Sequence, residues 1–117
     1  MVKIILTFLK IRPAWIVRAV RQAIGSKMDL MIDSNHAYSL KEALELARKV
    51  EDQNIGFFEE PVSPEFYDQY AELRKKTSIP IAGGECEYLR HGFKQLLDSK
   101  SVDIIQVRFS KWYCFAK

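Results

Sequence analysis

The sequence predicts an α/β fold with parallel strands. Three observations lead there: five short runs rich in Ile, Val and Phe, amphipathic segments between them, and a repeat of about 25 residues, the length of one strand–helix unit with short loops. The runs are Val2 to Leu6, Leu30 to Asp33, Ile55 to Glu59, Ile79 to Ala82 and Val102 to Gln106. They do not alternate cleanly with polar residues, as expected of strands buried on both faces. Between them Ile16, Val20 and Ile24 form one helical stripe, and Leu40, Ala43, Leu44, Ala47 and Val50 another.

Boundary residues agree with this division. Pro13 suits a first helical turn, Gly25 suits a C-terminal cap, Ser39 with Glu42 forms an S-x-x-E capping box, and Ser63-Pro64-Glu65 marks a third helix start. A fourth helix, around Tyr88 to Leu97, offers Phe93, Leu96 and Leu97 to the sheet. Right-handed crossovers make the sheet parallel. Two architectures satisfy the pattern, an open doubly wound sheet or five consecutive strands of a closed barrel.

Composition narrows the function. The 117 residues are 48% hydrophobic and 28% charged, as in an ordinary globular domain. The net charge of +3 comes from 18 basic against 15 acidic residues, scattered rather than gathered into the stripe that nucleic acid requires, so no nucleic-acid partner is expected. Cys86 and Cys114 make neither a disulfide framework nor a zinc pattern and read as thiols of a reducing compartment. Ile4 to Leu9 is apolar for six residues, short for a signal peptide and far short of a membrane span. A cytoplasmic location without membrane attachment is the expectation.

The chemistry concentrates at strand ends, where the loops of either architecture converge. Asp33 ends "LMID", Glu59 ends "IGFFE" and Glu85 follows "IPIAGG", and the separations (59 minus 33 and 85 minus 59) are both 26. Equal spacing suggests one carboxylate at the same level of each unit. Neighbouring strands lie about 4.8 Å apart, so three such groups would repel one another unless they shared a cation. An all-oxygen donor set favours Mg²⁺, and the lack of His or Cys at these positions argues against zinc there. Gly83 and Gly84 permit the unusual backbone of a crowded strand end. The bland reading of any one such acid is a cap on the next helix.

The phrases "VRAVRQAIG", "DLMIDSNHAYSLKEALELA", "GFFEEPVSP", "IPIAGGECEY" and "VDIIQ" resemble the enolase superfamily, in particular its mandelate racemase and muconate lactonizing enzyme branch, from Val17 to Gln106. The resemblance implies a partial (β/α)8 TIM barrel of about five parallel strands and four helices, lacking the N-terminal capping domain and the last barrel strands. It implies residues 1–106 as the barrel part and 107–117 as a divergent tail. It carries over Asp33, Glu59 and Glu85 as Mg²⁺ ligands, with Asn35 and Glu60 supporting the site from behind them. The implied chemistry removes the proton α to a carboxylate, passing through an enediolate, as in a lyase or isomerase acting on a small carboxylate. "GECEYLRHGF" is similar to acid-sugar dehydratases of the branch, and sets Glu87 as a possible substrate contact against the plainer reading of a solvated loop acid. His36, after the D-x-N pair, is weighed in the same way against a loop histidine, while His91 receives no role.

The pattern breaks in two places. Members of the branch carry K-x-K before the Asp ligand, whereas "VKIIL" keeps only Lys3, a candidate base set against a strand-end lysine reaching solvent. After "VDIIQ" stand Val107 and Arg108 in place of Pro-Asp, and the tail "VRFSKWYCFAK" turns aromatic and basic, as a truncated or frame-shifted reading of a longer gene would. The expectation is a chain that is inactive or impaired alone and self-associates through open sheet edges. Two rivals remain: a receiver-like Mg²⁺-binding module, and a non-catalytic remnant.

Overall fold

The computed structural model describes residues 1–6 and 14–107. Strands and helices alternate as β1 (Val2–Ile5), α1 (Ala14–Ile24), β2 (Leu30–Asp33), α2 (Leu40–Val50), β3 (Ile55–Glu59), α3 (Tyr67–Lys76), β4 (Ile81–Gly83), α4 (Arg90–Asp98) and β5 (Ile104–Ile105). All pairings are parallel and the strand order is β1-β2-β3-β4-β5. Sequential order with right-handed crossovers puts the helices on one face, as in a barrel wall; a doubly wound sheet reverses its order midway. This order removes the open-sheet reading and the receiver-like rival with it.

One face of the sheet therefore meets helices and the other lines the inside of the curve. Ile4, Ile32, Phe58 and Ile81 lie level with one another and pack in the core with Val17 of α1, Ala43, Leu46, Ala47 and Val50 of α2, and Tyr70 and Leu73 of α3. One residue further on, Ile5, Asp33, Glu59, Ala82 and Ile104 form the next level, on the inner face. Burial on both faces holds for β2 and β4 but not for β1 and β5: Ile5 is 65% exposed and both residues of β5 are exposed. These are the two edges, with a neighbour on one side only.

The register contains one irregularity that matters. Leu30 lies opposite Ile55 but Asp33 lies opposite Glu59, so three steps along β2 match four along β3. The extra residue is a bulge at Gly56-Phe57, where the chain has a glycine whose added Cβ would stand 3.5 Å from the Met31 sulfur. It brings the two acids level.

Local signals hold with three adjustments. Ser39 Oγ accepts from the Glu42 N–H while Glu42 Oε2 accepts from the Ser39 N–H, completing the capping box. Gly25 ends α1 at φ 72°, and Gly84 takes φ 115°, where a Cβ would stand 3.2 Å from the Gln106 carbonyl. The third helix begins at Tyr67 rather than at Ser63, because residues 63–66 close a turn in which the Phe66 N–H reaches the Ser63 carbonyl. In α4, Leu96 is buried beneath Gly84 and leaves Leu97, a step of about 100° round the helix, 58% exposed. In α1 the stripe centres on Val17 rather than Ile16. Pro13 and residues 108–117, nearly all of the expected tail, lie outside the described residues.

Two substitutions test this packing. Ser39→Ala is expected to lower stability by about 1 kcal/mol in urea unfolding, since the first turn of α2 loses its side-chain acceptor. Tyr70→Phe removes the 2.9 Å hydrogen bond from a buried phenol to the Val62 carbonyl, and is expected to cost about 1 to 2 kcal/mol in the same assay.

Candidate metal centre

The inner-face level holds two carboxylates side by side, Asp33 at the end of β2 and Glu59 at the end of β3. Glu59 is buried, at 4% exposure. Two anions this close to one another, one of them out of water, require a positive partner. Lys3 supplies it: two residues before Ile5 on β1, it projects to the same face and its Nζ lies 3.0 Å from Asp33 Oδ2 and in contact with Glu59 Oε2. The strand-end lysine thus bridges the acids and does not simply reach solvent. Burial pulls the Lys3 ammonium down, but Glu59 and Asp33 outweigh it and hold its proton on more firmly than usual.

The tips of β2 and β3 are knitted together around this pair. The backbone N–H of Asn35 donates to Asp33 Oδ1 at 3.0 Å, so Asn35 supports the carboxylate through its main chain. Ser34, fully buried, donates its N–H to the Glu59 carbonyl at 3.1 Å and its hydroxyl to the Glu60 carbonyl at 2.7 Å. The His36 N–H donates to the same Glu60 carbonyl at 2.8 Å. Ser34 went unremarked in the sequence; its signal was a small hydroxyl residue wedged between the strand-end acid and Asn35.

Glu85 occupies a different level. Ala82, not Glu85, lies opposite Glu59, and β4 ends at Gly83, so Glu85 sits three residues beyond that row, half-buried in the following loop. Equal spacing in sequence did not mean equal height, since β3 is bulged and reaches the row at its fifth residue while β4 reaches it at its second. The negative charge of Glu85 bears on Glu60, whose carboxyl is pushed up to about 7, first by burial and then by Glu85, with Cys86 pulling the other way. Glu60 is 1% exposed.

Two further residues are committed to contacts that the sequence did not reveal. Glu87 accepts from the Tyr67 hydroxyl at 2.7 Å and is half-buried, which overturns the solvated reading; burial and Glu87 push that phenol up to about 12. His36 lies with Nδ1 3.1 Å from Glu60 Oε2 and Nε2 3.9 Å from the Cys86 sulfur. His91 is exposed on α4.

The donors Asp33 and Glu59 suit a hard divalent cation: both are carboxylates, they are paired across neighbouring strands, and they already share one positive group, the Lys3 ammonium. Among the described residues no helix is long and apolar enough to cross a membrane.

Residues 10–114 match the family described as enolase C-terminal domain-like. A D-galactarolactone cycloisomerase of Agrobacterium fabrum is 47% identical over 91 residues, 78% of this chain and 24% of that protein. An arabinonate dehydratase of Saccharolobus solfataricus is 37% identical over 90 residues, 77% of this chain and 24% of its own. The chain thus spans about a quarter of the length of these curated relatives. Among solved structures, the 3,6-anhydro-D-galactonate cycloisomerase of Zobellia galactanivorans superposes with TM-score 0.86 at 56% identity, over 90% of this chain and 30% of that one. A mandelate racemase/muconate lactonizing enzyme from a marine actinobacterium, in complex with magnesium, superposes with TM-score 0.87 at 28% identity, over 93% and 31%. On its strand order, its strand-end acids and a match covering most of its length, the chain belongs to the enolase C-terminal domain-like family.

Proposed function

We propose that this chain furnishes the cation-binding part of an acid-sugar lyase or isomerase, with Asp33, Glu59 and Glu85 holding Mg²⁺. The observation that carries the reading is the pairing of buried Glu59 with Asp33 around a positive charge. Glu85, in the next loop, is the third donor by resemblance, and its half-buried position beside Glu60 keeps it at the same end of the sheet. When bound, Mg²⁺ supplies positive charge that offsets the negative charge growing on a substrate carboxylate as its α proton leaves. The names of the relatives favour a sugar acid or its lactone as substrate, and both dehydration and cycloisomerisation begin with that proton loss.

Lys3 is the candidate proton acceptor. Its two carboxylate partners hold its proton on, the reverse of what a base needs. Carboxylates engaged elsewhere would release that hold and leave burial, which draws an ammonium towards neutrality. Asn35 and Ser34 keep Asp33 and the β3 tip in place. Glu87, held by Tyr67, is the acid in this reading that meets the substrate's hydroxyls. His36, bound up with Glu60 and Cys86, serves the loop more than the substrate.

The 117-residue chain alone is expected to turn over no acid sugar, because the inner face at Ile5 and Ile104 is open to water. The same open edges, β1 and β5, are proposed to pair with further copies of the chain. Sedimentation as a stable monomer would contradict that pairing, and measurable dehydration or cycloisomerisation by the isolated chain would contradict the inactivity.

The metal reading has two tests of its own. Calorimetric titration of Mn²⁺ or Mg²⁺ is expected to show binding that Glu59→Gln weakens by about tenfold or more; equal affinity in both proteins removes Glu59 from the site. Lys3→Met is expected to do the opposite and strengthen cation binding while lowering stability in chelator, since Glu59 then has no positive partner until the metal arrives. Weaker metal binding by Lys3→Met would show that the ammonium and the cation do not share a place.

A further inference from the structure

One residue beyond Glu59 and Glu85, and three beyond Asp33, lies a second set of donors. Among the described residues, His36, Glu60 and Cys86 offer a nitrogen, a carboxylate oxygen and a sulfur that all lie within 4.8 Å of one another. They come from three successive loops at the carboxyl ends of β2, β3 and β4. Glu60 is 1% exposed, its carboxyl lies against Cys86 and Glu85, and His36 Nδ1 stands 3.1 Å from its Oε2. A buried carboxyl crowded by a second one is costly unless a positive group stands among these donors.

The backbone has been bent to make this arrangement. His36 and Glu60 both sit in the left-handed region, at φ 60° and 42°, where residues with a Cβ are uncommon. The strain is held by the Glu60 carbonyl, which accepts from both the His36 N–H and the Ser34 hydroxyl. Glu60 follows the last residue of β3 at a left-handed φ, and its carboxyl faces Glu85 and Cys86. The two donor sets share no residue.

Their chemistry differs as well. Imidazole and thiolate are the donors that select zinc and other borderline metals, whereas magnesium takes oxygen. Three protein donors with a fourth position open is the pattern of zinc sites that accept an exchangeable ligand. We propose that His36, Glu60 and Cys86 form a site for a borderline divalent metal, Zn²⁺, next to the carboxylate site and distinct from it in its donors. The proposal does not depend on Asp33, Glu59 or Glu85 holding magnesium.

Cobalt reports directly on such a site, because a thiolate ligand gives a near-ultraviolet charge-transfer band and a tetrahedral environment gives intense visible absorption. The full chain, reduced and stripped by chelator, would be titrated with Co²⁺ in the presence of excess Mg²⁺. The expected result is both absorptions, chased by stoichiometric Zn²⁺ and untouched by further Mg²⁺. Glu59→Gln and Cys114→Ser should retain the near-ultraviolet band, Cys86→Ser should lose it, and His36→Gln should weaken the visible absorption. Since the chain has two cysteines, a band in Cys114→Ser assigns the sulfur to Cys86 even if Cys86→Ser folds poorly. A folded wild type without the band, a band that survives Cys86→Ser, or one lost in Glu59→Gln or displaced by Mg²⁺ would overturn the proposal.

Discussion

Burial of the Glu59 carboxylate beside Asp33 is the constraint on which the rest of the site depends. An ionised carboxylate taken out of water costs several kcal/mol, and a second carboxylate on the adjacent strand raises that cost further. A positive group must therefore stand between them, and Lys3 of β1 is placed to be that group. The bulge in β3, the ties that Ser34 and His36 make to the Glu60 carbonyl, and the main-chain support of Asp33 by Asn35 all serve to keep the two anions at one level. A sheet without the bulge would set Phe58 opposite Asp33 and turn Glu59 to the other face.

The helices serve the same end from behind. Phe58 and Ile32, immediately before the acids, anchor in the core against α2 and α3, so the strand ends cannot drift apart without disrupting well-packed apolar surface. Tyr70, buried on α3 and bonded to the Val62 carbonyl, fixes the loop that follows Glu60. Tyr67, one turn earlier, holds Glu87. The helical layer thus positions acids on the opposite side of the sheet through residues that carry no charge themselves.

Much of this was legible in the amino-acid order, because the features concerned are local. The five apolar runs, the Ser39–Glu42 capping box and Gly84 each depend on residues within a few positions, and each run holds a strand, though β4 starts two residues late at Ile81 and β5 shrinks to Ile104–Ile105. The level of Glu85 was not legible, since a bulge in β3 and the early point at which β4 meets the same row alter height without altering spacing. Nor was the ion pairing of Lys3, which depends on which strands become neighbours. The exposure of Leu97 turned on a rotation within one helical turn, too fine for a stripe of three residues to resolve. The gathering of His36, Glu60 and Cys86 combines two left-handed residues with three separate loops, and nothing in their spacing marks it.

If acids from successive strand ends converge on one cation, a crystal of the chain grown with Mn²⁺ will show an anomalous diffraction peak in bonding contact with oxygens of Asp33, Glu59 and Glu85, with the Lys3 ammonium displaced from between the first two. A fully occupied Mn²⁺ bound elsewhere, with Lys3 still bridging Asp33 and Glu59, would contradict it.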